Sequence, residues 1–212
     1  MQSTSHLLSA FVTMLVTMGP IETAAVFVGV TSGIHRPHRK SLAMRATSIA
    51  GAVFALFAVG GVFALELLHV SLAAFRVAGG LLLFIQALTL VFSARGLSSI
   101  SESEQHEAKA PGDIAVFPLA FPVIAGPGSL SAIVLLTAQT SGLTEKVLLL
   151  AILSVCLLIT LVAMLAADSL AQRLGQTGAD VVSRISGLLL AALAVQFVFD
   201  GLAQAPFMRH LN

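Results

Sequence analysis

The stretch LVTMGPIETAAVFVGVTSG, Leu15 to Gly33, runs like a continuous apolar helix yet carries a Gly-Pro pair and a carboxylate near its centre. Proline removes a backbone donor and clashes one turn back, and glycine weakens a helix. An acidic side chain inside hydrocarbon costs about 2.5 kcal/mol or more. How the rest of the chain is read depends on why a helix would be interrupted there.

The hydrocarbon follows from composition. The chain is 57% hydrophobic and 10% charged, with a mean hydropathy of +0.99, whereas about a quarter of the residues of a soluble domain are charged. Apolar runs such as AVFALFAVGGVFALE (52–66), VAGGLLLFIQALTLVFSA (77–94) and VLLLAILSVCLLITLVAMLAA (147–167) approach or reach the ~20 residues that a helix needs to cross the bilayer. The chain reads as an all-α, polytopic membrane protein. Its first segment lacks a basic start and a small-residue cleavage site, so it is expected to stay in the mature protein. The lone Cys156 lies within an apolar run, where it reads as a small buried hydrophobe. A net charge of +1 with scattered basic residues excludes a nucleic-acid footprint.

Six spans are expected at about 6–33, 42–66, 73–93, 114–141, 147–168 and 184–204, forming one transmembrane domain over 1–212. The first, third and fifth connections hold Arg36, Arg39, Lys40, Arg45, Arg95, Lys109 and Arg173, with Arg184 at their edge, against Arg76, Lys146 and Arg209 on the other side. The positive-inside rule makes the first side cytoplasmic and both termini periplasmic.

An internal repeat organises these spans. Gly19-Pro20 recurs as Gly126-Pro127, TSG at 31–33 recurs at 140–142, and Arg76-x-x-Gly79 recurs as Arg184-x-x-Gly187, all at nearly the same offset. Glu66 and Asp168 close the second and fifth spans, and Glu66 with Arg76 and Asp168 with Arg184 read as interfacial ion pairs. Each half has three spans, so the second copy enters from the opposite side. The expected architecture is therefore two inverted three-helix repeats, 6–93 and 114–204, joined by a cytoplasmic linker over 94–113, with helices 1 and 4 broken at their Gly-Pro motifs.

Half-helices starting near Pro20 and Pro127 would meet near the midplane, amino ends foremost, with Thr23 and Ser129 suiting a helix start. Such ends offer free N–H groups and partial positive charge, which suits an anion or carboxylate. Glu22, in the first turn of one of them, would bind a cation or a substrate ammonium, or carry a proton. The alternative is that the Gly-Pro pairs are kinks filled by neighbouring helices and that Glu22 is hydrogen-bonded structure. Gln86 in the third span, and Gln196 one turn from Asp200 in the last, serve equally as substrate contacts or as glue between helices. The candidate substrate-binding set is Gly19, Pro20, Glu22, Thr23, Gly126, Pro127, Gly128, Ser129, Gln86 and Gln196. No span carries metal-ligand spacing or a nucleophile beside a base, so neither an enzyme nor a bound metal is expected.

The segments FPLAFPVIAGPGSLSAIVLL, FRVAGGLLLFIQAL and ISGLLLAALAVQFVFDGL together resemble the MarC family of integral inner-membrane proteins over nearly the whole chain. The resemblance implies six spans in a bacterial inner membrane and kinship with small neutral amino-acid transporters and with LysE-type exporters. The family's first break usually reads Asp-Pro-x-Gly-Asn, whereas here it is Gly19-Pro20-Ile21-Glu22-Thr23, a displaced acid that points to a different coupling ion or substrate. The expected function is secondary transport or export of a small solute, with a small neutral amino acid or related metabolite as the candidate, without a cofactor and with H+ or Na+ as candidate coupling ions. A non-transporting scaffold or accessory protein is the alternative. The implied partners are the bilayer, a small-molecule substrate and, as an open question, further copies of the chain.

Overall fold

The computed structural model describes residues 2–31, 34–92, 113–140 and 142–205. The expected linker over 94–113 lies outside them except for Asp113, as do parts of both TSG motifs. Among the described residues every regular element is helical: α1 (Gln2–Met18), α2 (Pro20–Val30), α3 (Arg36–Leu67), α4 (Leu72–Phe92), α5 (Ala115–Ile124), α6 (Pro127–Ala138), α7 (Leu143–Leu165) and α8 (Ala167–Gln204). Among the described residues five helices are long and apolar enough to cross a membrane, and α5 with α6 supplies a sixth crossing if that pair, bent by 58°, is one span. α1 and α2 run on as a single candidate span, Leu7–Val30.

Two connections are more helical than their polarity implies. α3 begins at Arg36, with Pro37 in its first turn, where proline's missing donor costs nothing. The fifth connection, read as a loop, continues α8 without a break from Ala167 into the last span. The stretch ADSLAQRLGQTGADVVS holds two glycines but no proline, and its Ala, Leu, Gln and Arg residues are good helix formers.

The packing is inverted relative to a soluble bundle. Leu56, Val59, Phe63, Phe92 and Leu188 stand outward, at 68%, 82%, 68%, 76% and 68% exposure, where lipid solvates them. The inner stripe of α3 is made of Ala43, Ala46, Ala50, Phe54 and Ala58. With lipid outside there is no hydrophobic drive between helices, so small residues that admit close approach do the joining. The α4–α8 seam shows the effect: a Cβ on Gly80 would lie 2.8 Å from the Ala194 carbonyl oxygen, and one on Gly201 2.9 Å from that of Ala73. α4 and α8 thus run antiparallel with their backbones nearly touching. The main core joins α1, α2, α3, α5, α6 and α7, and a smaller one gathers Leu83, Ala87, Leu190 and Ala194 with Val16 against them.

Candidate functional site

The two interrupted spans lie against each other, α1 on α6 and α2 on α5. In the first, Gly19 takes the left-handed conformation (φ 52°, ψ 67°), Pro20 opens α2, and the Thr23 N–H donates to the Gly19 carbonyl at 2.8 Å. A Cβ on Gly19 would sit 2.7 Å from Glu22 Oε2, so both the backbone angle and the carboxylate exclude a side chain there.

In the second span the interruption is longer. Phe117 and Phe121, each preceding a proline, are extended (φ −129°, ψ 127° and φ −135°, ψ 130°), the region to which a following proline ring drives a residue. α5 is consequently a wide coil, with the Leu119 N–H reaching the Ile114 carbonyl and the Ala125 N–H the Ala120 carbonyl. Pro127 then opens α6, and the Leu130 N–H donates to the Gly126 carbonyl at 2.9 Å. A Cβ on Gly126 would meet the Pro122 carbonyl oxygen at 2.6 Å.

Both interruptions are closed by the same device. The buried Thr23 hydroxyl donates to the Met18 carbonyl at 3.1 Å, and the buried Ser129 hydroxyl donates to the Ile124 carbonyl at 3.2 Å, each reaching five residues back across its break. Ser129 also lies 3.0 Å from the Gly126 carbonyl. Each hydroxyl therefore satisfies a carbonyl that the break would otherwise orphan. Neither one caps its helix N-terminus.

Glu22 is half-buried in the first turn of α2, and its Oε1 is buried with no hydrogen-bond partner. The Ser186 side chain of α8 faces its carboxyl group. Sequence reasoning missed Ser186, which carries no motif and reaches Glu22 only because α8 packs on α2. On the other side, Gly128 is pressed against α4: a Cβ there would lie 2.3 Å from Leu83 Cδ2 and 3.4 Å from Gln86 Oε1. Gln86 thus stands at the start of α6. Gln196 is exposed and donates to Asp200 Oδ1 at 2.7 Å, so its side chain is engaged on its own helix rather than at either break.

The anticipated pair of Glu66 and Arg76 does not form. Glu66 is exposed, while Arg76 is buried with 6% exposure, and among the described residues neither makes an ion pair. The Asp168 side chain lies outside the described residues, and Arg184 is exposed. A pairing not foreseen joins Arg45 of α3 to Asp113. The other Asp113 oxygen accepts the Ala115 N–H at 3.1 Å, holding the start of α5. Arg39 lies over the Phe27 ring, 5.4 Å from its centroid, at the end of the bundle where α2 finishes.

The chain is 32% identical over 202 residues to a UPF0056 membrane protein of Archaeoglobus fulgidus, covering 94% of this chain and 93% of that one. It is 32% identical to one of Aquifex aeolicus, covering 91% and 90%, and 29% identical to the Bacillus subtilis UPF0056 membrane protein YvbG, covering 93% and 94%. No solved structure matches it. The MarC family description, an integral membrane protein, matches residues 4–205, and with its bundle of candidate spans and its full-length relatives the chain belongs to that family.

Proposed function

We propose that the protein is a secondary transporter or exporter of a small solute, working by alternating access around the two helix breaks. The observation that carries this reading is the shared closure of the breaks, Thr23 onto Met18 and Ser129 onto Ile124. Two adjacent spans interrupted and sealed in the same way are costly to keep in hydrocarbon, and discontinuous helices with converging amino ends are how many transporters build a midplane site.

The helix pairings support two inverted repeats, 6–93 and 114–204, within one transmembrane domain. α2 packs on α7 as α3 packs on α6, α1 on α7 as α3 on α5, and α4 on α6 as α2 on α8. Exchanging the two halves maps each of these three contacts onto its mate. In this reading Glu22, with Ser186, takes a cation, a substrate ammonium or a coupling H+ or Na+. The backbone around Gly19, Pro20, Gly126, Pro127 and Gly128 receives the solute's polar groups, and Gln86 lines the α6 side. A small neutral amino acid or related metabolite suits a site that sets a carboxylate beside free backbone groups. The basic connections favour a cytoplasmic linker and periplasmic termini in a bacterial inner membrane.

The test is a screen of purified protein in liposomes loaded with a mixed metabolite extract, with and without H+ and Na+ gradients. Saturable, gradient-dependent movement of a small solute is the expected result. Its absence across the extract, with stable partner proteins copurifying instead, would favour a scaffold and overturn the reading.

A further inference from the structure

α4 turns one stripe inward: Ala73, Arg76, Gly79, Gly80, Leu83 and Ala87. The stripe is made of small or apolar side chains except for a guanidinium one turn inside the helix. Arg76 is 6% exposed. An arginine that merely snorkels lays its stem on apolar surface and keeps its head in the aqueous or headgroup layer, which leaves the residue well exposed. Arg76 is instead almost wholly enclosed, while its nitrogens are not sealed off.

Among the described residues no carboxylate forms an ion pair with it. Gly79, one turn below, lies against α6, where a Cβ would be 3.0 Å from Ser131 Oγ; Gly80 lies against the Ala194 carbonyl on α8. Arg76 thus stands in the wedge of α4, α6 and α8. The acid of α8 near this level, Asp200, accepts from Gln196 through Oδ1 and forms no ion pair with Arg76, and Glu66 is exposed. Among the described residues Arg76 has neither hydrogen bond nor ion pair, and the Ser131 hydroxyl, buried to 4% exposure, has no partner either. A nearly enclosed guanidinium whose nitrogens are not sealed off, with no bonded acceptor among the described residues, is open to an oxyanion from outside the protein. Intramembrane ionisable groups that face the bundle interior mark ligand or ion pathways.

We propose that Arg76 is an oxyanion-binding subsite, its guanidinium gripping the carboxylate of a solute on the periplasmic part of the path, with the Ser131 hydroxyl as a second donor. The planar fork of arginine matches two carboxylate oxygens at once. The stripe leads from Arg76 past Gly79 and Ser131 to Leu83 and Gln86 at Gly128, so the subsite lies along the seam that ends at the second break. It rests on the transport reading and restricts it to solutes that carry a carboxylate.

The test uses full-length protein in a maltoside detergent, which carries neither phosphate nor carboxylate. Its melting temperature is measured with acetate against acetamide, and with alanine against alaninamide, at constant chloride ionic strength. The expected result is stabilisation by each carboxylate and none by the matched amide. Arg76→Gln should need at least about tenfold more carboxylate for the same shift, and Arg76→Lys should fall between, because a point charge keeps the attraction but loses the two-point fit. Ligand-free Arg76→Gln should melt within a few degrees of wild type, since it removes no hydrogen bond or ion pair among the described residues; a purely structural arginine would give a clearly lower value. Equal shifts for acid and amide in the wild type, a comparison that needs no variant, would overturn the proposal. So would an Arg76→Gln protein that keeps the carboxylate preference. Stabilisation by added phosphatidylglycerol alone would assign the oxyanion to lipid and overturn the solute subsite. Liposome uptake separates this from the broader reading: uptake indifferent to Arg76→Gln sinks the subsite and leaves transport standing, whereas carboxylate binding with no uptake of any solute does the reverse.

Discussion

Gly128 of α6 is pressed so closely against Leu83 of α4 that a Cβ on the glycine would lie 2.3 Å from Leu83 Cδ2. Gly128→Ala should therefore destabilise the protein by about 1–3 kcal/mol through overpacking and depress transport by displacing the start of α6. Leu83→Ala placed on top should recover part of both losses. Thermal unfolding of the single and double variants in detergent measures the coupling.

Glu22→Gln keeps size and hydrogen-bonding capacity and removes the charge. Transport should fall at least about tenfold and lose its dependence on the coupling gradient, while the melting temperature stays within a few degrees of wild type. Ser186→Ala should give a smaller loss in the same direction, because it removes the hydroxyl that faces the carboxyl group and leaves the charge. Unchanged transport and ion dependence in Glu22→Gln would make the carboxylate structural.

At the Arg45–Asp113 pair the two partners should not be equivalent. The pair is largely exposed, with side chains at 57% and 34%, so Arg45→Ala should cost no more than about 1 kcal/mol, shrinking with added salt. Asp113→Ala also removes the acceptor for the Ala115 N–H and should cost up to about 2 kcal/mol, with a part that salt does not screen. Chemical unfolding at low and high ionic strength separates the two contributions.

Orientation is testable with single thiols placed at the exposed His38 and His69 in a Cys156→Ser background. In intact cells a membrane-impermeant reagent should label the thiol at position 69 and reach that at 38 only after permeabilisation. The reverse pattern would invert the assigned topology.

The crossings were legible because hydropathy over ~20 residues is a local, additive signal. The Gly-Pro pairs were legible as residues, yet their local chemistry was not. Thr23 and Ser129 invited assignment as helix caps, whereas their hydroxyls turn back to Met18 and Ile124, a choice set by which carbonyl each break strands. Arg76 and Glu66 sit near opposite ends of one short connection and invited pairing, but α4 turns Arg76 into the bundle and leaves Glu66 outside. Ser186 had no signal of its own, because its meaning comes from the packing of α2 against α8. The helical fifth connection was hidden by polarity, which reports solvent contact and not backbone conformation.

α8 is one uninterrupted helix from Ala167 to Gln204, about 57 Å long at 1.5 Å per residue, and the glycines at 80 and 201 hold it almost backbone to backbone on α4. Two rods fused along such a seam act as a lever. A tilt of about 10° around its middle would carry each tip through about 5 Å by the same rise per residue. Any partner that grips the polar end of this rod, near 167–183, therefore has mechanical purchase on the opposite face of the membrane without touching the helix breaks at all.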